Sequence, residues 1–251
     1  MSPPIKAMIL AAGRGERMRP LTDDCPKPLL RVAGKALIDW HVDALARGGV
    51  RELVVNTAWL GEKISNHLGL LRNTDGREQL SFSYSNEGDD FGYALETAGG
   101  IARALPLLGD VFWLLASDVF VPGFEFSPEA ADRFIASGKL AHLWLVPNPA
   151  HNPRGDFGLS PEGLALDDAP QRLTFSTIGL YRAALFAPPY TEIAAGNPQG
   201  IRAALAPLLR AAMKKGLVSA ERYPGPWTDV GTPERLAALN RTVPDEPTAT
   251  P

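Results

Sequence analysis

Met8-Ile-Leu-Ala-Ala-Gly-Arg-Gly-Glu-Arg-Met-Arg-Pro-Leu-Thr22, followed closely by Cys25-Pro-Lys-Pro-Leu-Leu30, decides how the rest of the chain is read. Ile5 to Ala11 is an apolar run of the length of a buried strand. It empties into Gly13 and Gly15, which carry no Cβ and let a ligand come close to the backbone. Successive backbone N–H groups in such a loop form an anion-binding concavity. Arg14, Arg17, Arg19 and Lys27 surround it. A strand, a glycine loop and a cluster of cations together point to a polyphosphate site. The prolines on either side of Lys27 predict a stiff, extended segment that presents its ammonium.

Spacing separates this loop from two common phosphate binders. A dinucleotide fingerprint has glycines at its first, third and sixth positions. Here the sixth is Met18, and the next strand, Leu53-Val-Val-Asn56, ends in Asn where a ribose-binding acid is expected. No Gly-Lys-Ser/Thr occurs, which excludes a Walker-type loop.

The bulk properties are those of a globular enzyme. The 251 residues allow one large domain or two small ones, and 45% hydrophobic with 21% charged residues is ordinary for a soluble protein. A net charge of −3 argues against a general nucleic-acid surface but not against phosphate ligands, which answer to local cations. The single cysteine, Cys25, excludes an internal disulfide framework and suits a reducing cytoplasm. With no cationic-then-apolar leader and no apolar run of about 18 residues, neither export nor membrane insertion is expected.

Strand and helix patterns alternate through the first half. Strands are predicted at Arg51 to Asn56, Leu80 to Tyr84 and Val111 to Ala116, and helices at Ala36 to Arg47, Trp59 to Leu68 and Glu96 to Leu105. This order predicts an α/β fold, a mostly parallel sheet with helices on both faces. The loops at Gly13, Asn56, Glu87 and Ser117-Asp118 then converge beyond the carboxyl ends of the strands. In the second half a helix at Pro128 to Ser137 and strands at Leu140 to Val146, Phe157 to Leu159, Arg172 to Phe175 and Ile178 to Tyr181 are predicted. Helices at Arg202 to Lys214 and Glu234 to Asn240 flank a strand near Val218 to Tyr223. Thr232 is placed to cap the last helix. The tail, 243–251, reads as disordered. No internal repeat, and in particular no hexapeptide β-helix repeat, is found, so an acetyltransferase second activity is not expected.

Nearly every position between Leu10 and Pro28 matches L-A-A-G-x-G-x-R-[ML]-x-P-L-T…P-K-P, the signature of the sugar-1-phosphate nucleotidyltransferases, which the chain resembles over roughly residues 5–240. The resemblance implies a Rossmann-like nucleotidyltransferase domain over 1–242, with a nucleotide-binding half (1–118) and a smaller sugar-binding half (119–242). It implies UTP or another nucleoside triphosphate and a sugar 1-phosphate as partners. The oligomeric state expected is a monomer or small homo-oligomer, with neither nucleic acid nor membrane as a partner. Lys6 to Gly13, Ala58-Trp-Leu-Gly61, Arg154-Gly-Asp-Phe157 and Trp227 with Asp229-Val-Gly-Thr232 are similar to the N-acetylmuramate-1-phosphate uridylyltransferases of cell-wall recycling. Other pairs, such as dTTP with glucose 1-phosphate or GTP with mannose 1-phosphate, remain open, as does a non-catalytic nucleotide-sugar sensor. Retention of Arg17, Lys27, Asp118 and Asp229 weighs against the sensor.

Asp118 follows a wholly apolar strand, where α/β sheets place ligand residues. Asp229 lies in Trp227-Thr-Asp-Val-Gly. Joining a nucleoside triphosphate to a sugar phosphate gathers negative charge that Mg²⁺, held by one or two carboxylates and the phosphates, offsets. The resemblance makes Asp118 and Asp229 the metal ligands, Ser117 standing where Gly is usual. It assigns Arg17, Lys27 and Asp118 to catalysis, and Leu10, Ala11, Ala12, Gly13, Arg14, Gly15, Glu87 and Gly92 to the nucleotide. Glu96, Thr97, Gly99, Asn148, Arg154, Asp156 and Gly179 fall where the sugar is bound, though Glu96 and Thr97 also read as helix caps. Arg154 is the cation expected to meet a lactyl carboxylate. The lysine that many relatives use for the sugar phosphate is missing, Asp168-Ala-Pro170 standing in its place. No histidine shows ligand spacing.

Overall fold

The apolar N-terminal run forms the strand β1 (Lys6–Leu10), inside a seven-stranded sheet in a computed structural model that describes residues 5–74, 77 and 79–243. After β1 come β2 (Arg31–Val32), β3 (Lys35–Ala36), α1 (Leu37–Arg47), β4 (Glu52–Thr57), α2 (Gly61–Arg72) and β5 (Ser81–Asn86). Next are α3 (Glu87–Phe91), α4 (Glu96–Ala104), β6 (Val111–Ala116), β7 (Val119–Phe120), α5 (Pro128–Ser137) and β8 (Ala141–Val146). The chain ends through β9 (Gly158–Leu159), β10 (Ala165–Leu166), β11 (Thr174–Arg182), α6 (Leu205–Met213), β12 (Val218–Arg222), β13 (Thr228–Asp229) and α7 (Pro233–Thr242).

The strand order is β12-β8-β11-β6-β1-β4-β5. β6, β1, β4 and β5 run parallel, and β12 runs parallel to β8. Only β11 is antiparallel to both of its neighbours. Because side chains alternate across a strand, β1 sends Ala7 and Ile9 into a core covered by α1, α2 and α5, and Met8 into one covered by α4 and α6. Both faces are therefore apolar, as a mostly parallel sheet requires. A third cluster, containing Met18, Val32, Leu37, Phe120, Val230 and Leu236, seats the glycine loop and α7 against the sheet end.

Local chemistry explains several boundaries. Ser127 accepts from Ala130 N–H and Thr232 from Arg235 N–H, each followed by proline at the first helical position. The two strands expected across Arg172 to Tyr181 are one, β11, interrupted by a bulge between Phe175 and Gly179. Glu96 and Thr97 do not cap α4, whose N-terminus has no side-chain cap. The two-residue pairs β2–β3 and β7–β13 are too short to leave a periodic pattern in sequence. Val243 closes α7 and packs on the third cluster; the rest of the tail expected to be disordered lies outside the described residues.

The carboxyl ends of the strands are tied together by one buried network. Asn56, at the end of β4, accepts from Ala11 N–H at 2.8 Å and donates to Glu87 Oε1 at 2.7 Å. Glu87 Oε2 accepts from Leu95 N–H at 2.7 Å. Glu87 is fully buried, and burial raises its pKa above the usual 4.5, against the two hydrogen bonds and the more distant Arg103. A raised folded-state pKa contributes stability that is complete below the unfolded value and is lost as pH rises through the folded one. Compared with Glu87→Gln by urea unfolding at a series of pH values, the wild type should therefore hold its greatest relative stability below pH 4.5. Its advantage should shrink on going to neutral pH. A difference that grows with pH would contradict this account.

Candidate active site

Where the strands end, a cavity of about 260 Å³ is lined by Leu10, Ala12, Gly13, Lys27, Glu96, Thr97, Ser117 and Asp118 among others. Its floor is built by chain connections already described. Ser117 donates its N–H at 3.0 Å and its hydroxyl at 2.7 Å to the Leu10 carbonyl, so β6 and β1 end together. The serine that replaces the family's glycine thus gains a structural bond. Ala11 N–H is committed to Asn56, which leaves the N–H groups after it to meet an anion.

The glycine loop is braced from behind. Gly15 has φ +70°, and its carbonyl accepts from the Thr22 hydroxyl at 2.8 Å; a Cβ there would stand 3.0 Å from Thr22 Cγ2. Arg14 donates to the Thr22 carbonyl at 2.7 Å and to Asp23 at 3.2 Å, and stacks 3.9 Å over the Trp59 ring. Trp59 itself donates to the Thr22 carbonyl at 3.1 Å. Arg14 is therefore a brace, and the Ala58-Trp-Leu-Gly61 stretch earns its place by holding the loop. Arg17 is exposed and has no hydrogen bond or ion pair among the described residues. It is not among the residues that line the cavity, and stands on the loop beside it in sequence as a free guanidinium.

Lys27 lies in a 3-10 turn, Lys27–Leu29, and not in the extended segment that its flanking prolines predict. The third cluster and the turn's own Leu30 N–H to Lys27 carbonyl bond, 3.1 Å, override the local preference. Its Nζ is 2.7 Å from Asp118 Oδ2, with the lysine side chain 11% and the aspartate 38% exposed. An ammonium has three donors, so pairing with Asp118 leaves others for phosphate oxygens.

In the β7–β13 pair Asp229 faces Val119, and Val230 N–H donates to the Asp118 carbonyl at 2.9 Å, so the backbones of the two aspartates are neighbours although Asp229 does not line the cavity. Its Oδ2 contacts Arg235 at 2.9 Å and His151 at 3.2 Å. No group of three or more His, Cys, Asp or Glu that could hold a metal occurs among the described residues. Asp118 and Asp229, on paired strands, supply hard oxygen donors of the kind a divalent cation takes where substrate phosphates complete the ligand set. His151 and Arg235 carried no signal in the sequence, since neither their spacing nor their neighbours mark them. His41, wholly buried on α1, has its pKa pushed down to about 4 by burial, against a backbone bond to Val119 and the Asp118 charge.

A second cavity of about 570 Å³ abuts the first and shares Leu10, Glu96, Thr97 and Ala116 with it. Asp156 lines it, with Oδ1 held by Asn152 at 3.1 Å and Oδ2 by Phe175 N–H at 2.8 Å. Of the other residues expected here, Glu87 lines the first cavity while both its oxygens are bonded into the buried network, and three glycines line neither cavity. Gly92, φ +75°, closes α3 and lines neither cavity. A Cβ on Gly99 would stand 2.4 Å from the Ile201 carbonyl, and one on Gly179 2.8 Å from the Tyr181 ring. Asn148 and Arg154 line a separate groove with Arg172 and Arg222. Arg154 is thus not brought to the second cavity. Phe157, Phe175 and Thr177 also line it, and among its lining residues Leu205, Leu209 and Arg210, all on α6, were not expected there from the sequence. Thr177 sits in the bulge of β11 at φ +69° with its hydroxyl buried and unpartnered.

The chain is 45% identical to an N-acetylmuramate alpha-1-phosphate uridylyltransferase of Neisseria meningitidis serogroup B, over 92% of this chain and 95% of that protein. It is 33% identical to a protein of the same name from Caulobacter vibrioides, over 94% and 96%. A crystal structure from Bacillus anthracis in complex with a sucrose superimposes with a TM-score of 0.77 at 19% identity, covering 98% of each chain, which shows a shared fold. The family model described as nucleotidyl transferase matches residues 6–246. With its glycine loop, its paired Lys27 and Asp118 and a match along almost its whole length, the chain belongs to the nucleotidyl transferase family.

Proposed function

We propose that this enzyme joins UTP to N-acetylmuramate 1-phosphate, releasing pyrophosphate and forming the UDP-sugar for reuse in cell-wall synthesis. The observation that carries the reading is the Lys27–Asp118 pair, 2.7 Å apart and lining a cavity that opens into a second one. Two phosphorylated substrates placed in the two cavities meet beside that pair. The sugar and the base are supported by the 45% identical relative.

A phosphate oxygen of the sugar phosphate attacks the α-phosphorus of UTP in line, the new P–O bond forming as the bond to the β-phosphate breaks. The electron pair leaves with pyrophosphate. Such a transfer asks the protein for positioning and charge stabilisation. Lys27 bridges the α-phosphate and the incoming phosphate. Arg17 and the N–H groups of Ala12 to Gly15 hold the β- and γ-phosphates, where a guanidinium fork can bind two oxygens. Asp118 and Asp229 would hold Mg²⁺, which when bound offsets the negative charge that the two substrates bring together. Their present partners, Lys27, Arg235 and His151, keep both carboxylates placed. UTP as a substrate and the single cysteine fit a cytoplasmic enzyme acting as a monomer or small homo-oligomer. No helix among the described residues is long and apolar enough to cross a membrane.

The decisive assay measures pyrophosphate release with Mg²⁺ over UTP, dTTP and GTP, each against the 1-phosphates of N-acetylmuramate, N-acetylglucosamine, glucose and mannose. UTP with N-acetylmuramate 1-phosphate should give the highest kcat/KM; a clear preference for any other pair overturns the assignment. Asp118→Asn should lower kcat by about a hundredfold or more, given ~1.4 kcal/mol per decade. Its Tm should stay near wild type, because the amide oxygen still accepts from Lys27. Near-normal kcat at saturating Mg²⁺ would remove Asp118 from the site. Lys27→Ala should depress kcat/KM for both substrates together, and a defect confined to one would refute the bridging role.

A further inference from the structure

We infer that Arg210, oriented by Asp167, is the residue that recognises an acidic substituent on the sugar ring; this rests on the uridylyltransferase reading above and deepens it. The second cavity supplies the argument. Among its described lining residues Arg210 is the one cation. Of the two carboxylates there, Asp156 has both oxygens committed to Asn152 and Phe175. Glu96 lies where the two cavities join.

Arg210 is on α6, one turn beyond Ala206, which lines the same cavity, while the shared residues Leu10 and Ala116 are at the strand ends. A sugar whose 1-phosphate reaches the Lys27–Asp118 pair through that junction therefore turns its ring substituents toward α6. Arg210 Nε donates to Asp167 Oδ1 at 2.8 Å, and its two terminal nitrogens have no protein partner among the described residues. The carboxylate of Asp167 fixes one side of the guanidinium and leaves its other donors for a ligand carboxylate, the geometry in which a planar fork outperforms an ammonium. Phe157, Phe175, Leu205 and Leu209 form apolar wall beside it. A short carboxylate carrying a methyl group, such as an ether-linked lactyl, meets both requirements. A neutral hydroxyl meets neither. Arg154, lining a different groove, has no such placement.

The test compares wild type, Arg210→Ala, Arg210→Gln and Asp167→Asn on three 1-phosphates: N-acetylmuramate, its lactyl amide, and N-acetylglucosamine. Urea unfolding checks that each variant is folded. Wild type should prefer the free carboxylate, and both Arg210 variants should lose at least about tenfold in kcat/KM on it, the range of a charge-assisted hydrogen bond. Loss on the amide and on N-acetylglucosamine 1-phosphate should be small, and KM for UTP should hold. Asp167→Asn should weaken the preference less than removal of the guanidinium. A folded Arg210 variant that keeps the wild-type preference overturns the assignment of Arg210 while leaving the muramate reading intact. A wild type that does not discriminate among the three sugars overturns the muramate reading, and the recognition role with it.

Discussion

The placement of the strand ends depends on one buried carboxylate. Glu87 has no exposed surface, and its two oxygens receive Asn56 Nδ2 and Leu95 N–H. Asn56 passes the constraint on by accepting from Ala11 N–H, the first residue after β1. Three segments that are remote in sequence are thereby locked to one another at the mouth of the site. Hydrogen bonds to a charged group contribute about 1.5–3 kcal/mol each, and an orphaned partner in the same place is costly. A carboxylate in this position is tolerated because both of its oxygens are hydrogen-bonded. Gly100 belongs to the same arrangement, since a Cβ there would stand 2.5 Å from Glu87 Oε1.

Upon that frame the structure arranges opposite charges in advance of any substrate. Lys27 is 8% exposed and paired with Asp118, while Asp229 is paired with Arg235 and touches His151. Charges held in this way need little reorganisation when charge is redistributed between two phosphates. The free guanidinium of Arg17 stands outside the pairs, on a loop whose backbone is fixed by Thr22, Arg14 and Trp59. The loop is therefore rigid where it must approach phosphate, and its one unpaired cation is at its surface.

The segment after α3 and the segment leading into α6 pack on each other. Phe91 meets Gly200, where a Cβ would stand 2.6 Å from its ring, and Tyr93 donates to the Gly200 carbonyl at 3.2 Å. Arg202 stacks 4.0 Å over Tyr93, and Ala98 and Gly99 both donate to the Ala203 carbonyl. The Asp89 to Ala94 stretch is thus partly helical and packs on the segment leading into α6, the helix that borders the second cavity.

What the chain's sequence determined by itself is local or periodic. The glycine loop follows from residues without Cβ and a φ that only glycine adopts readily. The βα order follows from apolar periods, and the caps at Ser127 and Thr232 from side chains that answer their own helix ends. Lys27 was legible inside a long, specific motif, Asp118 at the end of a wholly apolar strand, and Asp229 only through the resemblance of its short stretch to a known family. Tertiary structure alone decided which of the other residues meet. It put Arg154 in a separate groove and Arg210 at the second cavity, committed both oxygens of Glu87 to a buried network, and set Gly99 and Gly179 where a Cβ would clash. It also bent Lys27 into a 3-10 turn against the preference of its prolines. Contacts across two-residue pairs such as β7–β13, or from α6 to the strand ends, join positions far apart in the chain. They leave no period or spacing to read, because the free energy that selects them is that of burying three apolar clusters at once.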